Sequence, residues 1–153
     1  MTYVFDTSAF IEAWVRSYPP DSFPQLWEKV DELVDAGNLI APEEVLEELR
    51  VRDDDLHTWV KTRAGKIIQP TSRALMLEAR AVLADHPMLT KGGTGRSAGD
   101  PFVIALAALR KCPLVTQEKG GTPSKPRIPY VCGTRGVGCM TLLEVIRSER
   151  WSF

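Results

Sequence analysis

Four acidic residues occupy positions where the sequence predicts that a strand ends or a helix begins. Asp6 and Glu118 each follow a short apolar run, and Asp100 opens a long one. Glu48 belongs to an acidic helix that is predicted to follow a strand. Carboxylates gathered in one place must either keep protons or bind a hard cation such as Mg²⁺ or Mn²⁺. Such a metal can activate water and stabilise the charge that builds on a phosphate.

Each of these acids also has a purely structural interpretation. Asp6 could turn the chain and cap the helix that follows it, and Asp100, which precedes a proline, has the position of a typical N-cap. Glu48 and Glu118 could be solvated surface residues. The chemical interpretation therefore depends on whether the four side chains come together.

Short apolar runs alternate with segments of helical periodicity along the chain. Strands are predicted at residues 3–5, 39–41, 67–68 and 114–115. Helices are predicted after Asp6, from Pro24 to Gly37, from Pro42, from residues 53–55 to Gly65, over residues 75–83, from Asp100, and behind a capping box formed by Thr141 and Glu144. This alternation predicts an α/β fold, a central and mostly parallel sheet flanked by helices on both faces. In such sheets, ligands bind beyond the carboxyl ends of the strands.

The composition is that of an ordinary globular protein. With 153 residues, 44% of them hydrophobic and 25% charged, the chain is expected to form one domain over residues 1–153, and the disordered, collagen-like and disulfide-scaffold classes are excluded. The longest charge-free run, residues 101–109, is too short to span a bilayer, so we expect a cytoplasmic protein with no membrane partner. Cys112, Cys132 and Cys139 form no metal-binding or redox spacing, which predicts reduced thiols.

Charge is distributed unevenly along the chain. Residues 1–60 contain 4 Lys or Arg against 14 Asp or Glu, whereas residues 61–153 contain 15 against 6. The acidic part could hold cations and the basic part could attract phosphates, although the two parts could also simply neutralise each other. The candidate phosphate-binding residues are Lys91, Arg96, Lys119, Lys125, Arg127 and Arg135.

The segments around the four acids resemble, in order, the motifs of a known family. They read V-F-D-T-S-A-F-I at residues 4–11, P-E-E-V-L-E-E-L at 42–49, S-A-G-D-P-F-V-I-A at 97–105 and L-V-T-Q-E at 114–118. This pattern resembles the PIN-domain family, compact α/β metal-dependent nucleases that include VapC-type toxins of toxin–antitoxin systems. Residues 115–119, 125–132 and 136–139 are similar to a largely uncharacterised PIN-like subfamily.

The resemblance implies a catalytic Mg²⁺ or Mn²⁺ site built from four acids: Asp6, Glu48, Asp100 and Glu118. Ser8 and Thr116 would support the carboxylates through hydrogen bonds. Glu44 shares a helix face with Glu48 and is an alternative second acid or an additional ligand. Glu118 departs from the VapC pattern, which more often has Asp or Asn there, and its longer side chain favours contact through water.

The activity implied by the resemblance is metal-dependent hydrolysis of RNA phosphodiester bonds by an endoribonuclease, the toxin of a type II toxin–antitoxin pair. The expected partners are RNA, a cognate antitoxin and a second copy in a homodimer. An inactive PIN-like module that binds RNA or a protein without cutting is the alternative. A receiver-type or phosphoryl-transfer protein is disfavoured because D-T-S lacks a second Asp and no strand ends in Lys.

Overall fold

The structure, a computed structural model, describes residues 1–90 and 98–153. Its strands are β1 (Tyr3–Phe5), β2 (Leu39–Pro42), β3 (Ile68–Gln69), β4 (Leu114–Val115) and β5 (Cys139–Met140). Its helices are α1 (Thr7–Ile11), α2 (Pro24–Asp35), α3 (Glu43–Arg50), α4 (Asp55–Thr62), α5 (Ala64–Ile67), α6 (Arg73–Asp85), α7 (Asp100–Arg110), α8 (Ile128–Thr134) and α9 (Leu142–Ser148). A π-helical segment, Glu12–Ser17, continues α1, and a 3₁₀ turn, Pro87–Leu89, follows α6.

The fold is α/β, as the sequence predicts. In the described part of the chain, five parallel strands form one sheet in the order β3-β2-β1-β4-β5. The chain starts in the middle of the sheet, builds outward to β3, and then returns through α7 to β4 on the other side of β1. The direction of winding therefore reverses between β1 and β4, which is where open α/β sheets leave a crevice for ligands.

The three central strands, β1, β2 and β4, are short but buried on both faces. All three residues of β1 and both residues of β4 are buried, and their runs are continuously apolar, as is typical of covered parallel strands. The helix α7 contacts β1, β2, β4, α6 and α8, so it is enclosed on nearly every side. Its alanines at positions 105 and 107 are buried, and small side chains allow the helix to approach its neighbours closely.

Among the described residues, two ion pairs join the acidic and the basic parts of the chain. Arg63 donates to both carboxylate oxygens of Asp31, at 2.6 and 3.2 Å, and its guanidinium lies 4.3 Å from the centre of the Trp59 ring. Lys66 contacts Asp35 at 2.6 Å. The two parts therefore neutralise each other in part, away from the acids that follow the strands.

Several predicted boundaries were wrong. Gly65, predicted to end a helix, lies inside α5, and Ile67 ends that helix instead of beginning β3. Pro42 closes β2 and precedes α3 instead of opening it. The sequence prediction missed α8 and β5 because α8 contains a proline and a glycine and β5 has only two residues. The capping box at Thr141 is confirmed.

Two further expectations concern the cysteines and the membrane. The three cysteines form no disulfide with one another, as predicted. Cys132 is buried in α8, and the other two are partly exposed. Over residues 1–90 and 98–153, no helix has both the length and the apolar character that crossing a bilayer requires.

The enclosed position of α7 generates a prediction about stability. Ile104 is fully buried in this helix, whereas Leu109 on the same helix is 42% exposed. Ile104→Ala should lower the free energy of unfolding by about 2–5 kcal/mol because it removes buried methyl groups and leaves a cavity. The matched control Leu109→Ala should change it by about 0.5 kcal/mol or less. Urea unfolding measures both, and equal losses would contradict the described packing of α7.

Candidate metal centre

Asp6 stands at the carboxyl end of β1, where the sheet reverses its winding. Its backbone N–H donates to the carbonyl of Val115 at 3.0 Å, which places it beside the end of β4. The side chain is only 5% exposed, and its Oδ2 accepts hydrogen bonds from Ser8 Oγ at 2.7 Å and from Thr116 Oγ1 at 2.9 Å. Asp6 occupies the N-cap position of α1, as the capping interpretation expected, but its side chain makes no capping hydrogen bond there.

The two hydroxyls that support Asp6 are themselves fixed by the backbone. Ser8 Oγ accepts from the N–H of Gln117 at 3.1 Å, and Thr116 Oγ1 accepts from the N–H of Glu118 at 3.1 Å. Each hydroxyl thus receives one hydrogen bond and gives its own hydrogen to the carboxylate. The structure places Ser8 and Thr116 in the supporting positions that the resemblance implied.

Burial of Asp6 raises the pKa of its carboxyl. The hydroxyls of Ser8 and Thr116 act against this rise, as do the nearby amides of Thr7 and Ser8. Burial is the larger effect because a charged carboxylate loses its hydration.

Asp100 is the first residue of α7 and is also 5% exposed. The N-cap is Gly99, and no side chain forms a capping hydrogen bond at this end, so the N-cap interpretation of Asp100 is wrong. Burial raises the pKa of Asp100 to about 9, with further contributions from the negative charges of Asp6, Glu118 and Glu48. The four predicted acids are therefore close enough to repel one another.

The helix α3 contributes Glu48, which reaches the start of α7. Glu48 Oε1 accepts a hydrogen bond from the N–H of Gly99 at 3.1 Å. Burial raises the pKa of Glu48 to about 7, and the charge of Asp6 adds to the rise.

Glu44 lies one turn before Glu48 and has a different environment. Its Oε1 is buried and has no hydrogen-bond partner among the described residues. Its pKa is raised by burial and by the charge of its neighbour Glu43, whereas Asp6 and Asp100 are not among the causes. Glu48, which interacts electrostatically with both aspartates, is therefore the better candidate for the second acid.

Glu118 links the cluster to α8. Its Oε2 accepts a hydrogen bond from the N–H of Ile128 at 3.1 Å. Burial raises its pKa, the amide of Ile128 lowers it, and the charge of Asp6 raises it again. The carboxylate is half-buried and divides its interactions between the acidic cluster and the helix.

The donor chemistry of this cluster suits a hard cation. Within residues 1–90 and 98–153, none of its carboxylates forms an ion pair. Thr7 Oγ1 is buried there without a hydrogen-bond partner in the described chain, as is Glu44 Oε1. The same residues contain no group of three or more acidic, histidine or cysteine side chains arranged to bind a metal directly.

The candidate phosphate-binding residues are dispersed. Lys119 and Lys125 are exposed in the loop that follows Glu118. Arg135 is held by Glu78 at 2.6 Å and Asp85 at 3.0 Å, so its guanidinium is already occupied. Lys91 and Arg96 lie outside the described residues.

Sequence reasoning missed three residues at this centre. Gly99 packs so closely on α3 that a Cβ atom there would collide with the Glu48 carboxylate. Thr7 adjoins Asp6 in the chain, and the pKa of the buried Cys132 is raised by the neighbouring Cys139 thiol and by burial, and also by the charges of Asp6 and Asp100. The D-T-S tripeptide and the G-D dipeptide carried a signal for Thr7 and Gly99, but nothing in the sequence marked Cys132 as part of the site.

A family model matches this sequence over residues 3–153. Its description is a domain of unknown function, DUF4411. The chain belongs to this family. The match includes all five strands and all four acids, so the acidic cluster lies within the region that defines DUF4411. No curated protein is significantly similar to the sequence.

The raised pKa of Asp100 predicts how stability depends on pH. Between about pH 4 and pH 9 the folded protein retains a proton that the unfolded chain has lost, so the free energy of unfolding falls as the pH rises through this interval. Without metal, Asp100→Asn should therefore be more stable than the native protein at pH 8, by about 2 kcal/mol or more, and the gain should vanish toward pH 4.

Urea unfolding in EDTA at several pH values measures this gain. Asp21→Asn, at an exposed position, is the matched control and should show no such trend. A gain for Asp100→Asn that does not depend on pH would contradict the electrostatic description of the cluster.

The contact between Gly99 and Glu48 predicts a selective effect on the site. Gly99→Ala is compatible with the helical backbone, but its Cβ would displace the Glu48 carboxylate, a flexible side chain that can move. We expect weaker Mn²⁺ binding by calorimetry, with the free energy of unfolding changed by about 1 kcal/mol or less. The matched control is Gly65→Ala, where a Cβ has nothing within 4 Å. An unchanged Mn²⁺ affinity in Gly99→Ala would show that Glu48 does not contribute to metal binding.

Proposed function

We propose that this protein is a metal-dependent ribonuclease that hydrolyses RNA phosphodiester bonds. The observation that carries the proposal is the buried carboxylate of Asp6, held by two hydroxyls at the reversal point of the sheet and surrounded by three more acids. Acids that form no ion pair within residues 1–90 and 98–153, at this place in an α/β sheet, favour a site for a hard cation and a phosphate ligand.

Asp6 and Asp100 are the residues that we propose to bind Mg²⁺ or Mn²⁺ directly. Glu48 and Glu118 each commit one oxygen to a backbone amide, so contact through water suits them better. Water in the ligand set is what Mg²⁺ usually retains in proteins. A cation bound there would supply Lewis-acid chemistry, activating a water molecule and stabilising charge on the phosphate.

The other residues of the site orient the acids or attract the RNA. Ser8 and Thr116 fix Asp6 in one orientation, which spares the site from reorganising when charge develops. Lys119 and Lys125 are exposed just beyond Glu118, where they can attract the backbone of an RNA strand. No protein nucleophile is required for this hydrolysis.

The resemblance to the PIN-domain family extends the proposal to biology. By that resemblance the protein is the toxin of a type II toxin–antitoxin pair and forms a homodimer. A basic side chain of the antitoxin would fit among the acids, because it would replace the charge of the metal. This interaction would inhibit the nuclease without altering its fold.

An inactive module that binds RNA without cutting is the second candidate. The observation that favours it is the absence, from the described residues, of a ready-made group of three metal-binding side chains. Calorimetry with Mn²⁺ separates the two candidates, because the module would give no heat of metal binding.

Cleavage of RNA tests the proposed reaction. Incubated with a mixed cellular RNA pool, the native protein should cut in Mn²⁺ or Mg²⁺ and not in EDTA. Asp6→Asn should reduce the rate about 100-fold or more, since it removes the central ligand. The surface variant Asp21→Asn should cut like the native protein.

Calorimetry completes this test. Mn²⁺ should bind the native protein more tightly as the pH rises from 6 to 9, because Glu48 and Asp100 must release protons to the solvent. Absence of Mn²⁺ binding would overturn the enzyme proposal and favour the inactive module, whereas Mn²⁺ binding without cleavage of any RNA in the pool would indicate a narrower substrate than the pool contains.

A further inference from the structure

An open groove lies beside the acidic cluster, between the loop after Glu118 and the outer surface of α8. Its volume is about 520 Å³. It is lined by Gly120, Gly121, Pro129, Tyr130, Gly133 and Thr134. The lining thus combines one aromatic ring with backbone and small side chains, and no acidic residue is part of it.

Tyr130 is held in a defined position in this groove. The rings of Tyr130 and His86 form a T-shaped pair, with ring centres 5.8 Å apart and an angle of 75° between the planes. His86 is fixed in turn by a hydrogen bond of 3.2 Å between its Nε2 and Thr134 Oγ1. The N–H of Tyr130 also donates to the carbonyl of Gly120 at 3.2 Å. The aromatic ring is therefore preorganised before any ligand arrives.

The glycines leave the groove flat and open. At Gly121 the backbone φ is +113°, and a Cβ would lie 2.7 Å from Tyr130 Cβ and 2.8 Å from Arg127 N, so the loop backbone lies directly against these residues. At Gly120 and Gly133, a Cβ would meet nothing within 4 Å. The loop therefore packs tightly at Gly121, and space is open at Gly120 in the loop and at Gly133 in α8.

The rim of the groove is basic, and one end of it adjoins the acids. Lys119, Lys125 and Arg127 are exposed in the same loop, and the Arg127 Nη1 donates to the carbonyl of Lys119 at 3.4 Å. Glu118 lies two residues before Gly120. A strand that followed the lysines would thus pass from the groove toward the acidic cluster.

We propose that this groove binds an unpaired base of a single-stranded nucleic acid by stacking on Tyr130, while the lysines of the rim bind the adjoining phosphates. An aromatic platform, an open wall and a basic rim together favour single strands, because every base has a π face and duplexes keep their bases stacked inside. The inference rests on the proposed ribonuclease function. It restricts the substrate of that reaction to RNA with an unpaired segment.

Binding of a labelled oligonucleotide tests the groove without any cleavage. The probe is a fluorescein-labelled 12-nucleotide oligo(A) RNA, and its anisotropy is followed in EDTA. Tyr130→Ala should weaken binding about 10-fold, whereas Tyr130→Phe should bind like the native protein. Gly133→Gln should also weaken it, since the longer side chain enters the groove at a helical position with free space around it. Met76→Ala, on the exposed surface of α6, is the control.

The outcomes distinguish this inference from the proposed reaction. The base site would be overturned, even if RNA is cut, by either of two results. The native protein could fail to bind the 12-mer, or Tyr130→Ala and Gly133→Gln could both bind it as tightly as the native protein does. Loss of binding in both variants would support the base site even if no cleavage is found. A base-paired RNA 12-mer should bind the native protein and Tyr130→Ala with the same affinity. A single-stranded DNA 12-mer shows whether the site distinguishes deoxyribose from ribose.

Discussion

One carboxylate oxygen, Asp6 Oδ2, joins the two halves of the sheet at their carboxyl ends. It accepts hydrogen bonds from Ser8, at the start of α1, and from Thr116, at the end of β4. Because a buried carboxylate without such donors would be costly, both hydroxyls must keep these orientations. These hydroxyls in turn accept hydrogen bonds from the backbone N–H groups of Gln117 and Glu118. The path of the chain beyond β4 therefore depends on Asp6. The position of Glu118 at the site follows from this chain of contacts.

The acidic cluster opposes folding, and the core around it must compensate. Burial raises the pKa of Asp100 to about 9 and that of Glu48 to about 7, which means that the folded chain holds protons that carboxylates ordinarily lose. The strands beside the cluster are fully covered, and α7, which presents Asp100, is enclosed by the sheet and by other helices. Strained or destabilising arrangements persist where the surrounding structure holds them, and they concentrate at functional sites.

The sequence predicted the parts of this structure that depend on local pattern. Apolar runs and helix-breaking residues were sufficient to locate β1, β2, β4 and the start of α7, and these elements carry Asp6 and Asp100. In contrast, α8 was not predicted, because Pro129 and Gly133 resemble loop residues until Ile128 and Val131 are seen to be buried. The contact of Gly99 with Glu48 spans 51 residues along the chain and involves no periodic pattern, so only the three-dimensional structure shows it.

The same missed helix connects the acidic cluster with the groove. At its start, the N–H of Ile128 binds Glu118, and two residues later the N–H of Tyr130 binds the carbonyl of Gly120. Both contacts use backbone atoms of α8, whereas the Tyr130 side chain is held separately by His86. Substitutions of the Tyr130 ring therefore remove groove contacts while the hydrogen bond that positions Glu118 is retained. Because the two sites share a backbone but not their side chains, the proposed metal binding and the proposed base binding can be tested one at a time.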